Sequence, residues 1–274
     1  MDDELLQQKQ ALLQWALTRV REGVPAAKGF AAPDGSAVPH RRPPASGGIG
    51  TLGERTLHAA LKYCYEPDDT YHEIPMEGFV ADIARPDTVI EIQTGSFYPL
   101  RKKLPALLAR GPVKVVHPLA ARKRIVWVDP ETGELSAPRT SPRPDRPADV
   151  LPELFWLLDV LDEPGLQFEF PLLVIDEYKL KDGTGAEGKK HATRYERIPT
   201  GWLGSLVLTG PEDAAALLPP GLPAAFTASV FAKAARLKGR RASAALKTLL
   251  ALGAVRRTGE KQGRAYLYEI QTAP

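Results

Sequence analysis

Cysteine is nearly absent from this chain of 274 residues, with Cys64 as its single example. A lone cysteine excludes an intrachain disulfide and a cysteine-based zinc site. Long apolar runs are also missing, and none approaches the roughly 18 residues of a membrane-spanning helix, so we expect no membrane partner. The acidic start Met1–Glu4 is followed by no apolar segment, and we therefore expect no signal peptide and a cytoplasmic protein.

The charge that is present is unevenly distributed. Hydrophobic residues make up 43% and charged residues 25% of the chain, as in ordinary globular proteins, and the formal net charge is only +3. Between Arg236 and Arg264, however, nine Lys or Arg residues face a single acid, Glu260. A basic segment of this kind favours nucleic-acid binding, although the same charges can simply be solvated.

Composition and periodicity divide the chain into four consecutive segments. We predict an amphipathic N-terminal helix over 1–22, a Pro/Gly-rich linker over 23–48, a domain of alternating helices and strands over 49–209 and a C-terminal domain over 210–274. The apolar stripe of the first helix includes Leu5, Leu13, Trp15, Ala16 and Val20.

The second domain is organised around a predicted hairpin. Its strands cover Phe79–Ala84 and Val89–Thr94, joined by a loop with the turn residues Pro86 and Asp87. If Ala84 pairs with Val89, Asp82 lies opposite Glu91, and Gln93 follows on the same face. Two facing carboxylates repel each other. They are tolerated on a solvated sheet face, or where a cation lies between them.

The elements around the hairpin add further candidates. A helix over 51–65 carries Glu54 beside its buried stripe, where the acid either serves a site or forms a capping box with Thr51. Ser96 is the predicted N-cap of the next helix, whose polar face carries Arg101, Lys102 and Lys103. Further on we expect an irregular exposed segment over 138–147 and a helix over 149–161.

The order of these acids resembles the PD-(D/E)xK nuclease superfamily, which includes many restriction endonucleases and Holliday-junction resolvases. Asp82 and Glu91 match the two acids, Ile92 matches the apolar residue between, and Glu54 matches a helical acid of many members. The resemblance covers roughly residues 49–130. Gln93 stands where the motif has lysine, and a neutral amide orients water but supplies no positive charge.

The resemblance implies an α/β fold with a restriction-endonuclease-like mixed sheet flanked by helices. It also implies a metal-dependent DNA endonuclease that hydrolyses phosphodiester bonds. Mg²⁺ (or Mn²⁺) would be held by Asp82, Glu91 and the backbone carbonyl of Ile92, with Glu54 and Gln93 completing the catalytic set. The alternatives are a non-catalytic DNA-binding protein or regulator with a degenerate nuclease fold, which Gln93 favours, and a structural adaptor.

In the C-terminal segment, Thr227 is the predicted N-cap of a helix over 228–235, a second helix covers 242–252, and two short strands surround 258–263. Helix, turn, helix and hairpin in this order resemble a winged helix-turn-helix domain. We expect double-stranded DNA as the partner, and cutting both strands would favour a homodimer; the alternative is a winged helix that contacts protein. The predicted DNA contacts are Arg101, Lys102, Lys189, Lys190, Arg240, Arg241, Lys247, Arg256, Arg257, Lys261 and Arg264.

Overall fold

The computed structural model describes residues 2–23, 56–129, 131–180 and 193–271. The chain forms two compact units, each assembled from three segments. The first unit contains Met1–Thr70, Ala120–Pro144 and Leu172–Gly204, and the second contains Tyr71–Leu119, Asp145–Pro171 and Ser205–Pro274. The division into four consecutive segments stays a prediction.

The described chain contains both helices and strands, mostly in runs of two or three strands between helices. The helices are α1 (Asp3–Gly23), α2 (Thr56–Tyr65), α3 (Leu100–Leu108), α4 (Leu151–Leu154), α5 (Ala228–Ala235) and α6 (Gly239–Ala251). The strands are β1 (His72–Met76), β2 (Phe79–Ala84), β3 (Val89–Ile92), β4 (Val113–Val116), β5 (Leu119–Val128), β6 (Arg139–Thr140), β7 (Leu166–Leu180), β8 (Thr193–Leu208), β9 (Ala225–Thr227), β10 (Val255–Gln262) and β11 (Ala265–Ile270). No helix in the described ranges is long and apolar enough to cross a membrane.

In the first unit, α1 packs against α2. The predicted stripe is confirmed at Leu13, Ala16 and Val20, which are buried, but Leu5 and Trp15 are exposed. Successive helix residues are about 100° apart, so Trp15 lies about 200° from Leu13, on the other side of α1. Trp15 instead meets the Tyr63 ring in an edge-to-face arrangement at 6.0 Å.

In the second unit, the sheet is mixed. β1, β2 and β3 pair antiparallel, whereas β3, β4 and the beginning of β7 pair parallel. Glu77 and Gly78 join β1 to β2 at φ values of 51° and 76°, the positive range that a tight hairpin turn favours. α3 packs near β4 and buries Leu104 and Leu107. The coarse prediction of an α/β protein with a mixed sheet and packed helices is therefore confirmed.

The C-terminal part of the second unit holds α5, α6 and an antiparallel sheet in the order β10-β11-β9. Thr227 is confirmed as the N-cap of α5, because its Oγ1 accepts the Val230 N–H at 3.4 Å. α6 begins earlier than expected, at Gly239. It packs on α4, where Thr248 Oγ1 donates to the Leu151 carbonyl at 2.9 Å.

Several predicted boundaries are wrong. β3 ends at Ile92 rather than at Thr94, since the chain bends at Thr94. Ser96 does not cap α3, which starts at Leu100 with Pro99 at its N-cap position. Ser96 Oγ instead accepts the Tyr98 N–H at 3.3 Å and closes a local turn.

The helix predicted over 149–161 is confirmed only in part. Residues 147–157 are helical, but the α-helical part is the short α4 between the 3-10 segments Pro147–Val150 and Phe155–Leu157. Pro152 has no N–H to donate and fits only the first turn of a helix, so α4 cannot extend back to Asp149. The segment 138–147, expected to be irregular, contains β6, which pairs with β5 at Arg124 and Ile125.

Candidate functional site

The structure brings Asp82 and Glu91 together at the β2–β3 hairpin of the second unit. Ala84 pairs with Val89 and Ile83 with Ile90, so the assumed register is confirmed. Beyond these pairs, side chains bridge the two strands. Asp82 Oδ2 accepts the Ile92 N–H at 2.7 Å, and Glu91 Oε1 accepts the Asp82 N–H at 3.3 Å. Each carboxylate is therefore held by the backbone of the opposite strand.

Lys103, which was predicted on the solvated face of its helix, completes this arrangement, so that placement is wrong. Lys103 of α3 donates from Nζ to Glu91 Oε2 at 2.5 Å and to the Val80 carbonyl at 2.6 Å. The available signal was the spacing of α3, because Lys103 lies three residues after Leu100 and four before Leu107, both buried. Lys103 thus belongs to the inward face of the helix, unlike the exposed Arg101 and Lys102.

Glu91 is poised between its charged and neutral forms. Its side chain is only 4% exposed. Burial, and next the adjacent Asp82 carboxylate, raise the pKa of Glu91 to about 7, while Lys103 acts in the opposite direction. The carboxyl can therefore hold either a proton or a cation near neutral pH.

Gln93 lies just beyond β3 and is anchored within its own loop. Its backbone N–H donates to the Val116 carbonyl at 2.8 Å, and its side-chain amide donates to the Ser96 carbonyl. His117 Nδ1 donates to the Gln93 carbonyl at 2.6 Å, and the His117 ring meets the Phe97 ring edge-on at 5.0 Å. His117 therefore supports the backbone around Gln93.

The predicted DNA contacts of the second unit are all exposed, and two of them also form ion pairs. Arg101, Lys102, Arg240, Lys247 and Arg264 are exposed. Two further arginines have acidic partners. Arg241 Nη1 lies 3.3 Å from Glu153 Oε1, and Arg256 Nη2 lies 2.5 Å from Glu269 Oε2.

The β10–β11 hairpin carries the remaining basic residues around one aromatic ring. The Arg257 guanidinium lies 3.2 Å and the Lys261 ammonium 4.8 Å from the centre of the Tyr266 ring. Glu54, Lys189 and Lys190, which the sequence also nominated, lie outside the described residues.

Comparison with known proteins identifies the family. Residues 55–209 match the family described as a Domain of unknown function (DUF8091). The chain belongs to this family. It is also 31% identical over 138 residues to an uncharacterized protein of Treponema pallidum (strain Nichols), an alignment that covers 50% of this chain and 55% of that relative. The chain thus spans about half the length of the relative, and no solved structure matches.

The DUF8091 segment contains the described residues of the acidic site, whereas Glu54 precedes its first matched residue. Asp82, Glu91 and Lys103 lie within it, whereas α5 and α6 lie beyond its end. Among the described residues, no group of three or more His, Cys, Asp or Glu side chains is placed to hold a metal ion. Within the site, the carboxylates available to a hard cation are Asp82 and Glu91, with the ammonium of Lys103 beside them.

Proposed function

We propose that this DUF8091 protein is a metal-dependent DNA endonuclease with a restriction-endonuclease-like fold. The observation that carries the proposal is the Asp82–Glu91 pair, joined across a hairpin and bonded to Lys103. Its residue order is the one that resembles PD-(D/E)xK nucleases. A buried acid with a raised pKa beside a specific charge partner is also what catalytic sites favour.

The residues present suit a hard divalent cation. Asp82, Glu91 and the Ile92 carbonyl would hold Mg²⁺ or Mn²⁺, which prefer oxygen ligands and often use one or two carboxylates together with substrate phosphates. When bound, the ion supplies neutralising charge to the phosphate oxygens and acidifies water. The Ile92 and Asp82 N–H groups keep the two carboxylates oriented for this task.

Lys103 compensates for the neutral Gln93. Its ammonium is fixed by Glu91 and the Val80 carbonyl. A positioned cation stabilises the negative charge that develops on a phosphoryl group during hydrolysis. Gln93, held by Ser96 and supported by His117, positions water.

The C-terminal part of the second unit is proposed to bind double-stranded DNA as a winged helix. Helices α5 and α6 are followed by the β10–β11 hairpin, the order expected of that domain. Arg240 and Lys247 on α6, and Arg264 between the hairpin strands, are exposed. Cleavage of both strands favours a homodimer.

Plasmid cleavage tests the acidic site. We expect Asp82→Asn and Glu91→Gln each to lower Mg²⁺- or Mn²⁺-dependent nicking by about 100-fold or more, with DNA binding retained. Asp87→Asn is the matched control, because this exposed carboxylate lies in the loop of the same hairpin. Equal cleavage by the wild type and both site variants would reject the assignment.

The second candidate is a DNA-binding protein or regulator without catalysis. The Lys103–Glu91 ion pair favours it, since the ammonium already neutralises the carboxylate that would hold a metal. An intact plasmid after incubation with either metal, under conditions where DNA is bound, supports this candidate.

A further inference from the structure

A small pocket opens beside the first turn of α3 in the second unit. Its volume is about 360 Å³, and its lining includes Tyr98, Arg101, Lys102, Trp156 and Asp159. Tyr98 and Trp156 are 57% and 38% exposed, unusually high fractions for such large rings. The acidic site described above does not use these side chains.

The chemistry of the lining points to a flat, anionic ligand. The two rings are perpendicular, at 86°, with their centres 5.0 Å apart. A planar ligand that stacks face-on against one ring is therefore perpendicular to the other ring and turns its own edge toward it. The Arg101 guanidinium lies 5.7 Å from the centre of the Tyr98 ring, and Lys102 adds a second exposed cation.

We propose that this pocket binds an unpaired nucleobase of DNA, with the adjoining phosphates on Arg101 and Lys102. Base stacking on exposed aromatic rings combined with basic side chains is how proteins hold single-stranded nucleic acid. The volume lies at the small end of ligand pockets, roughly 300–1,000 Å³, and suits one nucleotide rather than a duplex. Asp159 offers an acceptor to the amino group of a base.

The position of the pocket connects it to the proposed cleavage site. Lys102 lines the pocket, and the next residue, Lys103, is bonded to Glu91. Consecutive Cα atoms are about 3.8 Å apart, so the same turn of α3 contributes one lysine to the pocket and the next lysine to the acidic site. The inference rests on the proposed nuclease function and specifies its substrate class, namely DNA with an unpaired nucleotide near the cut, such as a bulge, flap or branch.

Binding in EDTA tests the pocket without any cleavage. The probes are three oligonucleotides carrying 2-aminopurine, one single-stranded, one with a one-base bulge and one fully paired. We expect the wild type to bind the bulged and single-stranded probes at least about tenfold more tightly than the duplex and to quench 2-aminopurine at the unpaired position. Trp156→Ala and Tyr98→Ala should abolish this preference, and Trp156→Phe should restore most of it.

Trp15→Ala is the matched control. Trp15 is also exposed and also lies edge-on to a tyrosine with an arginine nearby, but it belongs to α1. Its removal should leave the preference unchanged. An unchanged preference in folded Trp156→Ala, or no quenching by the wild type, overturns the pocket assignment. Binding in EDTA does not depend on whether Asp82→Asn abolishes cleavage. The pocket proposal and the nuclease proposal can therefore be rejected independently of each other.

Discussion

Lys103 is the side chain on which the electrostatics of the acidic site depend. Removing one partner of a buried ion pair usually costs about 3–5 kcal/mol, because the other charge is left uncompensated. Removal of Lys103 should cost much less than that, since the Glu91 pKa of about 7 allows this carboxyl to bind a proton at neutral pH. Lys103 is therefore better explained by the control of charge at Glu91 than by stability alone.

Replacement of Lys103 separates the two candidate functions. If the ammonium stabilises charge on the phosphate, Lys103→Met should lower metal-dependent nicking by about 10²–10³-fold while the fold is retained. Nicking rates and Mn²⁺ affinity, measured by calorimetry, provide the check. Lys114→Met is the control, because this ammonium pairs with a different acid, Glu169, at 3.5 Å. Tighter Mn²⁺ binding without any cleavage in either protein would favour the non-catalytic candidate.

At the same scale, some of the site was predictable and some was not. The pairing of Asp82 with Glu91 followed from alternation and from the Pro86–Asp87 turn, both of which are local signals. The inward direction of Lys103 could have been read from its spacing to the buried Leu100 and Leu107, but Lys103 was predicted on the polar face. A charged run such as Arg101–Lys103 normally indicates a solvated face, and for this reason the inward direction of Lys103 was not predicted.

Among the elements, α5 has the clearest local determinant. Thr227 Oγ1 accepts the Val230 N–H and lies 2.9 Å from Ser229 Oγ. We expect Thr227→Ala to lower the free energy of unfolding by about 1 kcal/mol, because a first-turn N–H loses its acceptor. Thr227→Ser keeps the hydroxyl and should cost much less. Urea denaturation followed by circular dichroism measures both, and equal losses would attribute the effect to the missing methyl group.

Elements whose limits are set by contacts distant in the sequence were not predicted. β9 has three residues and no periodicity of its own; it exists because Phe226 pairs with Tyr268 of β11. α4 is only four residues long, yet it is fixed by the buried Thr248 hydroxyl on its Leu151 carbonyl. By contrast, the bounds of α5 and β2 were predicted residue for residue, since their determinants, a cap and apolar alternation beside a turn, are local.

For the whole molecule, the distribution of positive charge matters more than the net charge of +3. Arg241 is a poor probe of DNA binding, because it is paired with Glu153. The second oxygen of Glu153, Oε2, accepts a hydrogen bond from the Phe97 N–H at 3.3 Å. Removal of Arg241 would disturb the loop before α3 as well. Arg240 and Lys247, both exposed on α6, test the proposed DNA-binding surface more cleanly.

The salt dependence of duplex binding measures that surface directly. Each phosphate neutralised by a protein cation contributes about 0.9 to the slope of log K against log salt concentration. Arg240→Ala combined with Lys247→Ala should therefore weaken binding to a fully paired duplex and reduce the slope by about 1.8, measured by fluorescence anisotropy between 50 and 200 mM salt. Arg256→Ala is the control: this guanidinium is already neutralised by Glu269 at 2.5 Å. Its smaller effect on the slope would distinguish direct phosphate contact from loss of overall charge, whereas an unchanged slope in the double variant would remove α6 from the DNA.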